Sequence, residues 1–202
     1  MKPAASSRGR GIYLIDDISE VNVDDLSIVS RYVNNPLLIN GHKFDLRIYV
    51  LVTSVEPLRI YVFKEGLARF ASEEYRSKNA KSNKFIHLTN YSINKKSKDF
   101  VQNDNLENDD YGFKWSLSAF CKHLEQIEID MNLFWSRIYD IIIKTFLTAE
   151  NFIFNAVKKT CIHRTNCFEL YGFDVLIDSD FKPWLVEVNL SPSLACDSKL
   201  DT

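Results

Sequence analysis

Two carboxylates and one amide, Asp174, Glu187 and Asn189, stand among apolar residues near the end of the chain. They lie in two runs typical of strands, FDVLI (173–177) and WLVEVNL (184–190), which flank a segment rich in turn-forming residues. This spacing predicts a β-hairpin that carries all three side chains. Oxygen ligands of these types suit Mg²⁺ that keeps waters and binds substrate phosphates.

The register of this hairpin decides whether the two acidic side chains meet. A turn that pivots between Asp180 and Phe181 predicts that Ile177 faces Trp184 and that the two acids face each other, with the amide on the same side. Two opposed carboxylates repel and weaken a sheet, so their presence among apolar residues favours a cation between them. A hairpin with one polar face in solvent is the alternative at this point.

A second group of residues suited to phosphate chemistry lies at the start of the chain. The segment Lys2 to Gly11 holds Arg8, Arg10 and two glycines, and an apolar run at 12–15 follows it as a predicted strand. Glycines let backbone amides approach an anion, and the cations add charge, so the segment could bind phosphate. It does not match the Walker or dinucleotide patterns, and taken alone the segment favours a solvated basic loop or a flexible tail.

A third group alternates along a predicted strand. Lys43, Asp45 and Arg47 occupy every second position of KFDLRIYVLVTS, which turns at 55–57 and returns as LRIYVFKEG. The β-branched and aromatic content predicts an antiparallel hairpin, and the two-residue period puts the three charged side chains on one face. Such a face could be the solvated side of a sheet or part of a phosphate site.

The remaining patterns predict the elements that position these groups. Strands are expected over 28–33, 37–39, 67–71 and 85–91, a loop over 95–110, a helix over 117–129 and a helix over 131–159. Ser116 is the expected N-cap of the first helix. The apolar faces of both helices should cover the sheet.

Composition limits the class of protein. The 202 residues are 46% hydrophobic and 26% charged with a net charge of −2, which is typical of a globular chain of one domain or two small lobes. No global basic field favours nucleic acid, and no apolar run of membrane length or signal peptide is present. The four cysteines form no CxxC pair, which favours a reducing, cytoplasmic compartment; they are Cys121, Cys161, Cys167 and Cys196.

Together these motifs resemble the ATP-grasp carboxylate–amine ligases and, more closely, the polyglutamylases of the tubulin tyrosine ligase-like family. The matching segments are KPAASSRGRGI, SRYVNNPLLI, KFDLRIYVLVTS, EGLARFA, HLTNYSINKKS, FELYGFDVLID and KPWLVEVNLSPSLACD. The resemblance covers nearly the whole chain and implies an α+β fold with ATP-grasp-like central and C-terminal lobes, in which helices cover largely antiparallel sheets. It also implies that residues 1–202 are part of the catalytic domain, without its N-terminal lobe.

The resemblance implies an ATP-dependent ligase that adds free L-glutamate to glutamate side chains of α- or β-tubulin C-terminal tails through an acylphosphate. ATP and Mg²⁺ are the implied cofactors, and tubulin and microtubules are the implied partners of a monomeric cytoskeletal enzyme of the cytoplasm, cilium or basal body. Tyrosine or glycine ligation are rival activities. The alternative from another class is a truncated, inactive fragment that binds nucleotide or tubulin.

Residue roles follow from the same resemblance. The implied metal ligands are Asp174, Glu187 and Asn189, and the implied catalytic residues are Glu187 and Arg47, the latter on the transferred phosphoryl group. The implied nucleotide contacts are Lys2, Arg8, Gly9, Ser30, Arg31, Tyr32, Val33, Lys43, Asp45, Thr89 and Asn90. The implied substrate contacts are Arg8 for the protein and Arg69, Tyr91 and Lys114 for the amino acid. Taken singly, most of these could be surface cations, turn residues or core aromatics.

The choice of acceptor also has an implied determinant. Ser30-Arg31 and Leu190 resemble the members that start glutamate branches, whereas elongating members resemble Cys-Gln and His at these places. Arg31 offers a planar, charged fork to a carboxylate, which Gln does not. The resemblance therefore predicts a branch-initiating enzyme.

Overall fold

A computed structural model describes residues 1–4, 6, 9–22, 26–75, 82–101, 109–163 and 166–194. Arg8 and Cys196 lie outside the described residues. The strands are β1 (Lys2–Pro3), β2 (Ser27–Ile28), β3 (Leu38–Ile39), β4 (His42–Val55), β5 (Leu58–Phe70), β6 (Lys114–Ser116), β7 (Glu169–Ile177) and β8 (Pro183–Leu190). The helices are a 3-10 helix (Ile18–Glu20), α1 (Lys84–His87), α2 (Tyr91–Asn94), α3 (Leu117–Gln126) and α4 (Met131–Thr160).

The main sheet runs in the order β6-β5-β4-β7-β8, with β3 paired to β4, and every pairing is antiparallel. Strands β1 and β2 form a separate small antiparallel pair. This mixture of helices and antiparallel sheet confirms the predicted α+β class. Within the described residues, no helix is both long and apolar enough to cross a membrane.

The centre of the sheet is the long hairpin of β4 and β5, as the sequence predicts. Its turn occupies the predicted place between Val55 and Leu58. The predicted strand at 67–71 is not separate, because β5 continues to Phe70. The register of β4 and β5 shifts between the pairs Ile48–Gly66 and Val50–Val62. Three residues of β5, 63–65, therefore lie opposite the single residue Tyr49 of β4. Such a bulge bends a strand without ending it.

The core lies between one face of the sheet and helices α3 and α4. The even-numbered positions 44, 46, 48 and 50 of β4 are Phe, Leu, Ile and Val, and all are fully buried. Phe134, Ile138, Ile142 and Phe146 recur every four residues along α4 and are also buried. This confirms that the apolar helix faces cover the sheet, and each such side chain contributes about 1.5–3 kcal/mol by burial.

Helix boundaries agree with the expected caps. The Ser116 hydroxyl accepts a hydrogen bond from the Ala119 amide at 2.9 Å, so the predicted N-cap of α3 is confirmed. The Asp130 carboxylate caps α4 by accepting from the amides of Asn132 and Leu133. Helix α3 ends at Gln126, three residues before the predicted end.

Three predicted strands are wrong in whole or part. Residues 12–15 form no strand, and of 28–33 only Ile28 belongs to one. Residues 85–91 form the end of α1, a short link and the start of α2. The Asn83 side chain caps α1 by accepting from the Phe85 amide at 3.0 Å, so a local side-chain bond overrides the apolar pattern that favoured a strand.

The β7–β8 hairpin confirms one predicted pairing and corrects another. Asp174 lies opposite Glu187, as predicted, but Ile177 lies opposite Pro183, not Trp184. The turn, at 178–182, is one residue shorter than predicted and shifts the outer register by one residue, and an extra residue at 186 restores the predicted register before Glu187. The bulge thus determines which residue faces Asp174.

Candidate active site

Charged side chains gather on the face of the sheet opposite the core. Because side chains alternate along a strand, the odd positions 43, 45 and 47 of β4 point away from the buried apolar ones, as predicted. The register places Asp45 opposite Arg69 of β5 and Arg47 opposite Asp174 of β7. Lys114 of β6 lies opposite Arg69 in turn. One sheet face therefore brings together residues from four strands.

Two aspartates and two arginines form a continuous ion-pair network on this face. Arg47 Nε and Nη2 donate to the two oxygens of Asp174 at 2.5 and 3.1 Å. Arg69 Nε and Nη2 donate to Asp45 at 2.8 and 2.5 Å, and Arg69 Nη2 also lies 2.9 Å from Asp174 Oδ2. Bidentate arginine–carboxylate pairs are strong and directional. The network fixes the orientation of all four side chains.

Burial and charge act in opposite directions on this network. Burial alone would raise the pKa of the Asp174 carboxyl, but Arg69 and Arg47 outweigh it, and the pKa is lowered. Burial would lower the pKa of the Arg69 guanidinium, but Asp45 and Asp174 outweigh it, and the pKa is raised. Asp174 is therefore ionised in the sheet and is a candidate oxygen ligand, with only 2% of its surface exposed.

Glu187 joins the site from the edge strand. It lies opposite Asp174 and forms an ion pair with Lys2 of β1, so the predicted Lys2 segment and the predicted metal hairpin are in contact. Both side chains are about one-third exposed (33% and 31%). Asn189 donates from Nδ2 to the Gly172 carbonyl at 3.3 Å, which leaves its oxygen as the candidate ligand.

The donor set fits Mg²⁺ by chemical type. Asp174, Glu187 and Asn189 offer oxygens from one hairpin face, which suits a hard cation that keeps several waters. Within the described residues, no group of three or more His, Cys, Asp or Glu side chains could hold a metal, and the candidate set consists of two carboxylates and one amide. The repulsion argument no longer requires a metal by itself, because the two arginines and Lys2 already neutralise the carboxylates.

Lys43 occupies an aromatic pocket beside the network. It is only 8% exposed, its Nζ donates to the Tyr32 hydroxyl at 3.2 Å, and it lies 4.6 Å from the centre of that ring. Burial lowers the pKa of the Lys43 ammonium to about 8, although Asp45 partly opposes the shift. The Tyr32 oxygen also lies 2.8 Å from His87 Nδ1, and burial raises the pKa of Tyr32. A buried cation of this kind is suited to an anionic ligand.

The glycine-containing segment at the start of the chain packs on the Thr89-Asn90 segment. Gly9 has φ 71°, and a Cβ there would lie 2.6 Å from Asn90 Oδ1 and would overlap Ile93. Thr89 is buried, and the buried Asn94 side chain donates to the carbonyls of Leu88 and Asn90 at 2.7 and 3.1 Å. Two predicted nucleotide segments, far apart in sequence, are therefore neighbours.

Comparison with known proteins gives the family of this chain. The model of the tubulin-tyrosine ligase family matches residues 1–202. The chain belongs to that family. It is 57% identical over 203 residues to human tubulin polyglutamylase TTLL5, a match that covers 100% of this chain and 16% of the human protein.

Two further relatives of the tubulin-tyrosine ligase family are similar over the whole chain. Mouse tubulin monoglutamylase TTLL4 is 46% identical over 202 residues, covering 100% of this chain and 17% of that protein. A probable beta-tubulin polyglutamylase of Tetrahymena thermophila is 41% identical over 207 residues, covering 100% of this chain and 17% of that protein. The chain thus spans about a sixth of the length of these relatives.

Some residues assigned by resemblance to this family lie away from the ion-pair network. Ser30 and Arg31 are exposed and Val33 is half-buried. Leu190 is 69% exposed and follows Asn189 in β8, so it points to the opposite face of the sheet. Tyr91 packs edge-on against Phe100 at 5.7 Å.

Sequence reasoning missed one neighbour of the site, His87. It contacts Tyr32 and also packs edge-on against Tyr75, with ring centres 6.0 Å apart. The position of His87, two residues before Thr89, could have marked it as a neighbour of the site. The segment was predicted as a strand, however, and no role was predicted for His87.

Proposed function

We propose that this chain carries the nucleotide and metal centre of an ATP-dependent ligase that adds L-glutamate to glutamate side chains of tubulin C-terminal tails. The relatives named above are tubulin polyglutamylases and monoglutamylases. The observation that carries the proposal is the single sheet face on which the Asp45–Arg69–Asp174–Arg47 network lies beside the Lys2–Glu187 pair.

The chemistry explains why such a face is needed. A carboxylate is a poor electrophile, so the acceptor γ-carboxylate takes a phosphoryl group from ATP and becomes an acylphosphate. The amine of free glutamate then attacks the acyl carbon, and phosphate leaves. Catalysis of phosphoryl transfer is mainly positioning and charge neutralisation. When bound to Asp174, Glu187 and Asn189, Mg²⁺ would supply part of that neutralisation.

The chain's own residues supply the rest. Lys43, buried and positively charged at neutral pH, contacts phosphate oxygens, and Lys2 does so from the edge of the site. Arg47, oriented by Asp174, faces the transferred phosphoryl group. Lys114 and Arg69 lie opposite each other and receive the carboxylates of the donor glutamate. Because Arg69 also holds two aspartates, it links donor binding to the metal ligand.

We further propose that the enzyme starts branches rather than lengthening them. The support is the Ser30-Arg31 pair and Leu190, which resemble branch-initiating members of the family. Arg31 is exposed and available to a backbone-flanked acceptor glutamate. Action on microtubules in the cytoplasm, the cilium or the basal body belongs to the same proposal.

A non-catalytic module that binds nucleotide or tubulin is the second candidate. Its support is that the site's carboxylates already pair with protein cations. If this candidate is correct, the protein binds nucleotide but transfers no glutamate, whether this chain or a longer protein that contains it is assayed.

A chimera separates the two candidates. The matching segment of human TTLL5 is replaced by this chain, and glutamate transfer to tubulin is measured with ATP by mass spectrometry; a matched chimera carries Glu187→Gln. Transfer by the first chimera and its loss in the second support the ligase. A folded chimera that binds ATP but transfers no glutamate contradicts the ligase and supports the binding module.

A further inference from the structure

The hydroxyl of Tyr32 joins Lys43 to His87 in a short row of hydrogen-bonded side chains. The Tyr32 oxygen lies 3.2 Å from Lys43 Nζ and 2.8 Å from His87 Nδ1. The His87 ring also packs edge-on against the Tyr32 ring, with the ring centres 5.6 Å apart. His87 is therefore separated from the buried cation of the site by one side chain.

Helix α1 holds His87 in this place. His87 is the last residue of the helix, and the Asn83 side chain caps the first turn by accepting from the Phe85 amide at 3.0 Å. The same side chain donates to Glu73 Oε2 at 2.7 Å, and the Glu73 amide donates to the Phe85 carbonyl at 3.1 Å. Tyr75 packs edge-on against His87. These contacts fix the helix that carries the imidazole to the segment after β5.

The chemistry of the three groups gives each hydrogen bond a direction. The Lys43 ammonium has only donors, so the Tyr32 oxygen accepts from it. Burial raises the pKa of Tyr32, so its hydroxyl keeps its proton at neutral pH. A neutral imidazole has one accepting nitrogen, and Nδ1 lies within hydrogen-bonding distance of that hydroxyl. A Tyr32 proton that points to His87 leaves a lone pair, rather than the proton, facing Lys43.

We propose that His87 is a positioning residue that accepts a hydrogen bond from the Tyr32 hydroxyl at Nδ1 and so holds the Tyr32 oxygen as an acceptor for Lys43. In the proposed function Lys43 contacts the phosphate oxygens of ATP, and the inference rests on that function. Hydrogen bonds in such a row polarise one another, so the bond to His87 strengthens the bond to Lys43. His87 acts through Tyr32 and not on the nucleotide itself.

Calorimetric titration of the purified chain with ATP, in a double-mutant cycle, tests this role. His87→Phe keeps a ring against Tyr75 but removes the acceptor, and we expect it to weaken ATP binding about fivefold, as the loss of one hydrogen bond does. Once Tyr32→Phe has removed the hydroxyl, His87→Phe should have no further effect. His87→Asn places an oxygen acceptor at the δ position and should restore most of the affinity. An equal loss in both backgrounds shows packing alone and overturns the inference.

Tyr75→Phe is the matched control. The Tyr75 hydroxyl is a second hydrogen-bond partner for that of Tyr32, and it donates to the Asn34 carbonyl at 3.2 Å. If the Tyr32 proton points to His87, Tyr75→Phe should bind ATP like the parent chain. Weaker ATP binding by Tyr75→Phe with unchanged binding by His87→Phe would show that the proton points to Tyr75, which overturns the inference.

An NMR titration of isotope-labelled lysine side chains, without nucleotide, separates this inference from the proposed function. The Lys43 signal is identified by its loss in Lys43→Met. Burial already lowers the pKa of Lys43 to about 8, and His87→Phe should lower it further because the Tyr32 oxygen then accepts more weakly. An unchanged pKa in His87→Phe overturns the inference even if the chain binds ATP. A lowered pKa in a chain that does not bind ATP supports the role of His87 and contradicts the proposed nucleotide site.

Discussion

At the scale of single residues, the site is electrically balanced by the protein itself. Asp45 and Asp174 are buried, and each is held by an arginine from a neighbouring strand. Removing one member of a buried pair leaves a charge without compensation, whereas an exposed pair contributes little. The two acidic residues proposed as metal ligands therefore differ in what they do for stability.

We expect Asp174→Asn to lower the free energy of unfolding by about 3–5 kcal/mol, because Arg47 and Arg69 lose their shared carboxylate. Glu187→Gln should change it by about 0–1 kcal/mol, since its partner Lys2 is partly exposed. Urea denaturation of both variants measures the difference. Both should abolish glutamate transfer in the chimera. Equal losses of stability would show that the buried network does not hold Asp174.

Lys43 gives a prediction about pH. Its folded pKa of about 8 lies below the ordinary 10.5, so between these pH values the unfolded chain binds more protons. The buried charge of Lys43 therefore lowers the free energy of unfolding by about 3 kcal/mol at pH 7, and this loss disappears as the pH rises from 8 to 10.5. Lys43→Met should raise the free energy of unfolding at pH 7 by up to that amount, and it should weaken ATP binding.

Urea denaturation of the parent and Lys43→Met at pH 7 and pH 9.5 tests this assignment. The stability difference between the two proteins should shrink at the higher pH, because the parent is by then largely relieved of the buried charge. Calorimetric titration with ATP provides the second readout. A constant stability difference with unchanged ATP affinity would contradict the role given to Lys43.

At the scale of elements, bulges and turns determine which side chains enter the site. The β7–β8 bulge at 186 brings Glu187 opposite Asp174 although the hairpin turn is one residue shorter than the predicted one. The β5 bulge ends at Gly66, where a Cβ would overlap the Arg47 carbonyl oxygen. Both bulges lie in strands that carry proposed site residues, Arg69 in β5 and Glu187 in β8, so small backbone changes there should affect glutamate transfer.

Gly66→Ala should lower the free energy of unfolding by about 1–3 kcal/mol, because the backbone of β4 or β5 must move to admit the methyl group. Since Arg47 is the residue displaced, glutamate transfer in the chimera should fall as well. Gly41→Ala is the control: its φ of 78° costs about 1–2 kcal/mol, but it lies outside the ion-pair network. Equal effects of both variants on transfer would contradict the coupling to Arg47.

The hairpin turn has its own titrating residue, Asp178. Its carboxylate accepts from the amides of Asp180 and Lys182 at 3.0 and 2.9 Å and from Trp184 Nε1 at 2.8 Å. Burial would raise its pKa, but these hydrogen bonds outweigh it, and the pKa is lowered. These hydrogen bonds therefore stabilise the hairpin fully at pH values above the ordinary pKa of an aspartate. The stabilisation is lost as the pH falls through the lower pKa that Asp178 has in the folded protein.

We expect Asp178→Ala to lower the free energy of unfolding by about 1–3 kcal/mol at pH 7, because three donors lose their acceptor. Asp178→Asn, which keeps one acceptor oxygen, should cost less. Thermal unfolding at pH 7 and pH 3 measures both. The parent should lose more stability than Asp178→Ala between these pH values, and equal losses would contradict the role of the carboxylate.

At the scale of the whole molecule, acceptor choice depends on surfaces away from the charged network. Arg31 lies in the exposed segment after β2, and Leu190 ends β8 on the sheet face opposite Asn189. These residues therefore contact the acceptor peptide rather than the reacting atoms in the proposed enzyme. A preference for one acceptor should change without loss of ATP binding when they are replaced.

We expect the chimera to transfer glutamate to unmodified tubulin-tail peptides in preference to pre-branched ones. Arg31→Gln with Leu190→His should shift the preference toward pre-branched peptides, because the planar charged fork toward a backbone-flanked glutamate is lost. Mass spectrometry of both peptides after incubation with ATP gives the ratio. A parent preference for pre-branched peptides would contradict branch initiation.

The sequence by itself determined the features that depend on neighbouring residues. The alternation in β4, the apolar period of α4 and the cap at Ser116 all follow from local geometry, and each is confirmed. The opposition of Asp174 and Glu187 was predicted and is observed, but only because the bulge at 186 offsets a turn one residue shorter than the predicted one. The outer register was not predictable from the local pattern, since the turn length depends on the hydrogen bonds that Asp178 makes.

Only the tertiary structure decided the partners of the charged residues. Arg47 meets Asp174 across 127 positions because β7 lies beside β4, and Lys2 reaches Glu187 across 185 because the first strand packs near the edge of the sheet. Strand order sets these contacts, and a local pattern carries no information about strand order. The low pKa of Lys43 likewise depends on burial contributed by distant segments. The sequence thus specified the residue types of the site, while the fold specified which of them neutralise one another.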